Sequence, residues 1–257
     1  MGGRGSRAAA GRGIGLGGGF GALGGFGAGA AVPPPQVVPG QPVPAVTQQQ
    51  LQAMTDAEFA NYLNGLKSTP SDPLTYYNSD WDTQRLIANM PELNLAPDVV
   101  DPKTFASLPG ETLYRTVNAT GTQSAVDICG RTMASDVTTI GSGRMGDGFY
   151  FANNKRTSQV GYGNTMNNIN KTATMQAKLN GNAKVIGEMT LGSMFATESQ
   201  TVRNAVLGMK SDGQWAHSGW SAYVLRKGYN VVRGHGGVLD IIDRRAATWS
   251  GEIIPYT

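Results

Sequence analysis

An α+β fold is predicted by three features of the sequence. From residue 101 onward, short strand-length apolar runs intermix with helix-length runs, with no regular alternation between them. No repeat of 20–50 residues is visible, so nothing suggests a solenoid or propeller. Forty per cent of the 257 residues are apolar, enough for a real core.

Glycine and charge are both unevenly spread, and they set the domain limits. Fifteen of the 36 glycines lie in residues 1–45. The first acidic residue is Asp56, and only Arg4, Arg7 and Arg12 precede it as basic residues. Subtracting those three from 21 leaves 18 basic against 18 acidic residues, so the net +3 belongs to the tail. Glycine loses the most entropy on ordering, and this stretch has too little apolar area to offset it. Residues 1–46 are therefore predicted to be a disordered Gly/Pro-rich tail, ending in a polyproline-like linker around Pro33-Pro34-Pro35. Its glycine dominance argues against a signal or membrane segment. Three arginines make a thin case for RNA binding, and the rest of the chain gives no sign of a clustered basic face. Nucleic-acid and membrane partners are accordingly not expected.

Residues 47–100 read as a helical subdomain packed on the C-terminal part of the chain. Thr55-Asp56-Ala57-Glu58 resembles a capped helix start. Leu51, Met54, Phe59, Tyr62, Leu63 and Leu66 recur at near-helical spacing. Ser68 to Pro73 breaks the pattern, and a second helix is predicted over Asp82 to Met90. Beyond residue 100, strands are predicted at Thr112 to Val117, Gly148 to Ala152, Ala183 to Leu191, Val231-Val232 and Val238 to Ile242. Helices are predicted at Asn164 to Leu179 and His217 to Lys227.

Metal chemistry has little to work with. One cysteine, Cys129, and two histidines, His217 and His235, cannot build a structural zinc site. Cys129 is most simply a small core residue, and Trp215, Trp220 and Tyr223 suit packing better than a ligand cage. His235 falls in a glycine-rich turn with no partner to suggest chemistry.

The most informative segment is Gly146-Asp147-Gly148-Phe149-Tyr150-Phe151-Ala152, followed by Ser158 and Tyr162. A glycine turn leads into an aromatic strand, and a helix-like segment then presents a hydroxyl and a ring. A tyrosine face can stack on a cationic ring, and a serine oxygen can bond a carboxamide. An ordinary hairpin core has the same composition.

The pattern G-x-G-[IF]-Y-F-A, with a serine and a tyrosine at this spacing, resembles the second motif of the ADP-ribosyltransferase superfamily. It is most similar to the diphtheria-toxin and poly(ADP-ribose) polymerase branch. The resemblance implies a split-sheet domain over residues 101–257 that binds NAD as its substrate. Gly148 and Tyr150 would belong to the cofactor-binding motif, Tyr162 would stack on nicotinamide, and Ser158 would contact its carboxamide. Leu113-Tyr114-Arg115-Thr116-Val117 resembles the arginine form of the first motif, L-Y-R-G. Arg115 would hold ribose or phosphate oxygens with its planar, permanently charged fork. Thr116 stands where the family has glycine, and its backbone would bond the carboxamide as part of the cofactor site.

The family's catalytic glutamate sits on a late strand, where it stabilises positive charge as nicotinamide leaves. Val238 falls at that position here, and Asp240 lies two residues on, on the same strand face. Glu252, in Gly251-Glu252-Ile253-Ile254-Pro255, is the rival, because it resembles the E-x-[LI]-P segment of arginine-modifying toxins. The whole pattern also resembles domains encoded in phage structural gene clusters, some of which begin with Met-Gly-Gly-Arg-Gly, as here.

The resemblance implies an NAD-dependent mono-ADP-ribosyltransferase, with no metal, acting on a protein or other macromolecule of a host. The virion or host cytoplasm would be its location, and the tail could contact other virion proteins. The alternatives are a catalytically degenerate virion structural or binding protein and an NAD glycohydrolase.

Overall fold

The computed structural model describes residues 45–66, 90, 95–119, 123–134, 141–143, 146–162, 172–208 and 217–255. Residues 1–44 of the tail, most of the helix expected at Asp82 to Met90, and Trp215 lie outside them, whereas Val46, at the end of the expected tail, is buried in the core.

Helices α1 (Gln48–Ala53) and α2 (Asp56–Leu66) open the described chain. Thr47 caps α1 through a reciprocal box with Gln50. Thr55 and Glu58 do the same for α2: Thr55 Oγ1 accepts from the Glu58 amide at 3.3 Å, and the Glu58 carboxylate accepts from the Thr55 amide at 2.8 Å. All six apolar residues read at helical spacing in this segment are buried.

Strand β1 (Asp98–Val100) lies within the span read as helical and joins the main sheet. Next come α3 (Pro102–Ser107), β2 (Leu113–Asn118), α4 (Ala125–Met133), β3 (Gly141–Gly143), β4 (Gly146–Ala152) and α5 (Lys155–Tyr162). They are followed by β5 (Thr172–Leu179), β6 (Val185–Gly187), α6 (Glu188–Ala196), α7 (Gln200–Leu207) and α8 (His217–Arg226). The chain closes with β7 (Val231–Arg233), β8 (Val238–Ile241), β9 (Ala247–Ser250) and β10 (Ile254–Pro255), with short 3-10 turns at His235–Gly237 and Arg244–Ala246.

Among the described residues, ten strands form one mixed sheet in the order β1-β9-β5-β2-β4-β8-β7-β6, with β10 on β5 and β3 on β4. Helices lie among strands without regular alternation, as an α+β arrangement requires. Side chains alternate across the sheet. Phe149, Phe151, Val231, Leu239 and Ile241 face one core with Leu113, Met175 and Trp249, while Tyr150, Val232 and Ile242 face another with the helices. Trp249 meets Phe149 and Phe151 edge-on, at centroid distances of 5.8 and 5.2 Å.

Two expectations are corrected. The segment Asn164 to Leu179 is predicted to be helical, yet its second half is β5, an interior strand paired with β2, β9 and β10. The strand predicted over Ala183 to Leu191 is β6 for three residues only, and α6 starts at Glu188.

The sheet loosens between β2 and β4. β2 pairs with β5 along all six residues, but with β4 only through Tyr114 and Ala152.

Candidate functional site

The site is built on that weak junction. β4 runs antiparallel to β8, which sets Tyr150 directly opposite Asp240; on its other side Asp240 faces Val232 of β7. Gly148 lies two residues before Tyr150 and so shares its face. A Cβ at Gly148 would overlap the Asp240 carboxylate, coming within 2.9 Å of its Cγ. The second glycine of G-x-G is therefore what lets the aspartate lie flat across β4.

Asp240 is 0% exposed, and among the described residues neither carboxylate oxygen has a hydrogen-bond partner. Burial pushes its pKa up to about 7, opposed by the Arg115 charge and by the Tyr150 hydroxyl. That hydroxyl lies near enough to favour the carboxylate without reaching bonding geometry with either oxygen.

Arg115 is also buried. Its Nη1 donates to the Tyr150 carbonyl at 3.4 Å, and its Cζ stands 5.5 Å from the centre of the Phe149 ring. Its side chain thus leaves on the Phe149 face, while Tyr150 and Asp240 point to the other. The guanidinium reaches β4 just past the single β2–β4 pair, where its charge is felt by Asp240 on one side and Cys129 on the other. Burial pushes the Cys129 thiol up to about 12, which suits an inert core residue.

Thr116, one residue on, belongs to a buried chain of hydroxyls. Ser158 Oγ donates to Thr116 Oγ1 at 3.0 Å, and Thr116 Oγ1 shares a 3.0 Å bond with Thr174 Oγ1 on β5. Ser158 is held there by α5, whose first amides are capped by Asn154 Oδ1. Tyr162 closes α5, and its side chain lies outside the described residues.

The fold therefore gathers Arg115, Thr116, Gly148, Tyr150, Ser158 and Asp240 around β4. Glu252 is not among them. It is exposed, follows β9, and is separated from β8 by β5, β2 and β4. Val238, at the position of the family's glutamate, is half-buried opposite Ala152.

Two residues at the site are not legible in the sequence. Thr174 sits in the segment predicted to be helical. Arg244 is fully buried, donates to the Thr132 carbonyl at 3.2 Å, and stands 5.3 Å from the Phe149 ring that Arg115 also covers. In Asp243-Arg244-Arg245 nothing distinguishes it from a surface arginine.

Among the described residues, no group of three or more His, Cys, Asp or Glu could hold a metal ion, and no helix is long and apolar enough to cross a membrane. No family model, curated protein or solved structure matches the chain.

Proposed function

We propose that the chain is an NAD-dependent mono-ADP-ribosyltransferase with a split-sheet domain of that superfamily. The observation that carries this reading is the placing of Tyr150 opposite Asp240 on β4 and β8, with Arg115 bonded to the Tyr150 carbonyl and Ser158 to Thr116 of β2, beside the junction where β2 and β4 share one residue pair. The four come from three separated motifs; the resemblance assigns Arg115, Tyr150 and Ser158 to the site, and Asp240 lies two residues beyond Val238, the position of the family's glutamate.

In this reading Arg115 anchors ribose or phosphate oxygens of NAD, which a rigid guanidinium binds well. Tyr150 and Ser158 frame the nicotinamide. The bond between nicotinamide nitrogen and ribose C1′ breaks heterolytically, and its electron pair leaves with nicotinamide. Positive charge develops on the ribose, and ionised Asp240 stabilises it. An acceptor nucleophile bonds to C1′ and gives up its proton; where water takes that role, the product is free ADP-ribose. Burial pushes the Asp240 carboxyl up to about 7, so it takes this role in its ionised form, above that pH. Glu252 follows β9, which three strands separate from β8.

A second reading rests on one specific observation. Asp240 is sealed from solvent, and Val238 fills the glutamate position. A virion structural or binding protein that keeps the fold without catalysis would have both features.

Incubating the purified protein with labelled NAD and a host-cell lysate separates these readings. Free nicotinamide together with labelled macromolecules, both lost in Arg115→Ala, supports the transferase. Nicotinamide without label on macromolecules points to the glycohydrolase. Release of neither overturns the enzyme reading.

A further inference from the structure

We infer that Tyr150 is a positioning residue for Asp240: its phenolic hydroxyl donates to the ionised carboxylate and holds that carboxylate in place on the sheet face. The role given to Asp240 rests on the reaction proposed above; the pairing itself is a property of the chain without ligand.

The neighbours of Asp240 leave few donors. Asp240 stands directly opposite Tyr150 on β4 and Val232 on β7. Its own strand continues the same face with Val238 and Ile242, and the diagonal positions on β4 are Gly148 and Ala152. Apart from Tyr150, none of these residues carries a side-chain donor. Asn230, just before β7, gives its Nδ2 to the Asn182 carbonyl at 3.0 Å. Arg115 leaves on the opposite face, towards Phe149, and donates to the Tyr150 carbonyl at 3.4 Å. On α8, which packs against β4, Tyr223 donates to Glu198 at 2.9 Å and Arg226 to Asp56 at 2.8 Å; the His217 side chain lies outside the described residues. The Tyr150 hydroxyl is the side-chain donor that strand register sets beside the carboxylate.

The charge state decides the bond. Both Asp240 oxygens are buried without a hydrogen bond among the described residues. A neutral carboxyl tolerates that; a buried charge left unmet costs far more. A phenol has one proton to give, and its bond to a carboxylate is charge-assisted, roughly twice as strong as a bond between neutral groups. The Tyr150 hydroxyl already stands near enough to favour the ionised form. Ionisation of Asp240 therefore draws it into bonding geometry while the ladder holds both backbones.

The test titrates Asp240 in the full chain by carbon NMR of its carboxyl, with the signal assigned by its loss in Asp240→Asn. Tyr150→Phe keeps the ring and removes the donor. It should raise the Asp240 midpoint by about one pH unit, the difference between a charge-assisted and a neutral bond. Should Tyr150→Phe fail to fold, 3-fluorotyrosine at position 150, a stronger donor of nearly the same size, should lower the midpoint instead. Lost packing alone would not follow donor strength. An unchanged midpoint in either variant overturns the inference. These titrations contain no NAD, so their outcome is independent of the cofactor reading. Where that reading holds too, the pH midpoint of nicotinamide release moves with that of Asp240. Release that does not follow it, or no release at all, removes the catalytic role of Asp240 and leaves the pairing to the titration.

Discussion

Asp240 ties the chemistry of the site to its stability. Its carboxyl has an ordinary value of 3.8 and is pushed to about 7 in the folded chain. Between those values the folded state holds a proton that the unfolded state has lost. The contribution of Asp240 to stability is therefore fully present below about pH 4 and is lost as pH rises through 7. Three pKa units correspond to about 4 kcal/mol. Asp240→Asn cannot ionise, so it should be the more stable protein at pH 8, by up to that amount, with the gap closing towards pH 4. Urea denaturation of both proteins at pH 5 and pH 8 measures this. The same titration governs the proposed reaction, since only the ionised carboxylate stabilises a cation; nicotinamide release should rise with pH through about 7. Gly148 is coupled to the same side chain. Gly148→Ala drives a methyl into the Asp240 carboxylate and should cost about 1–3 kcal/mol. In an Asp240→Ala background most of that cost should vanish, which a double-mutant cycle will show.

Among the elements, β5 shows where sequence periodicity fails. Thr172–Leu179 is buried along nearly its whole length on both faces, so no alternation marks it as a strand. Its Ala, Met, Gln, Lys and Leu residues are good helix formers, and pairing on three strands overrides their propensity. β6 fails differently: it stops after three residues, and Gly187 serves as the N-cap of α6. By contrast, β4 and β8 read well, because Phe149, Phe151, Leu239 and Ile241 alternate with Tyr150 and Asp240. The same alternation makes the face of Asp240 legible, whereas the burial of its carboxylate depends on neighbours from β4 and β7 that no local pattern reveals. β5 also anchors α3: Lys178 Nζ donates to the carbonyls of Phe105 at 3.2 Å and Leu108 at 2.6 Å. Lys178→Met would remove the lysine donor from the part-buried Leu108 carbonyl, while the Phe105 carbonyl keeps the Leu108 amide, at a cost of about 1–3 kcal/mol. Faster amide exchange confined to α3 and its C-terminal end is the expected signature.

Across the whole molecule, α1 and α2 are part of the main core. Leu51, Phe59, Tyr62, Leu63 and Leu66 are at most 1% exposed and share a cluster with Tyr150, Val232 and Ile242. Polar contacts hold the same junction. Gln48 donates to the carbonyls of Leu225 and Tyr229, and Arg226 bonds the Met54 carbonyl and Asp56. At about 2 kcal/mol for each large side chain, the five contribute on the order of 10 kcal/mol, comparable with the whole stability of a domain. A chain beginning at residue 67 should therefore fail to fold cooperatively, as loss of its near-ultraviolet circular dichroism would show. The site itself depends on this core, since Tyr150 belongs to it.

The central claim is that Arg115, Tyr150 and Asp240, placed around β4, bind NAD. Calorimetric titration of NAD into the full chain, wild type against Arg115→Ala, tests it most directly. Saturable binding by the wild type is expected, weakened in Arg115→Ala by at least about tenfold, the loss of one charge-assisted contact. Absence of binding, or binding that Arg115→Ala leaves unchanged, would contradict it.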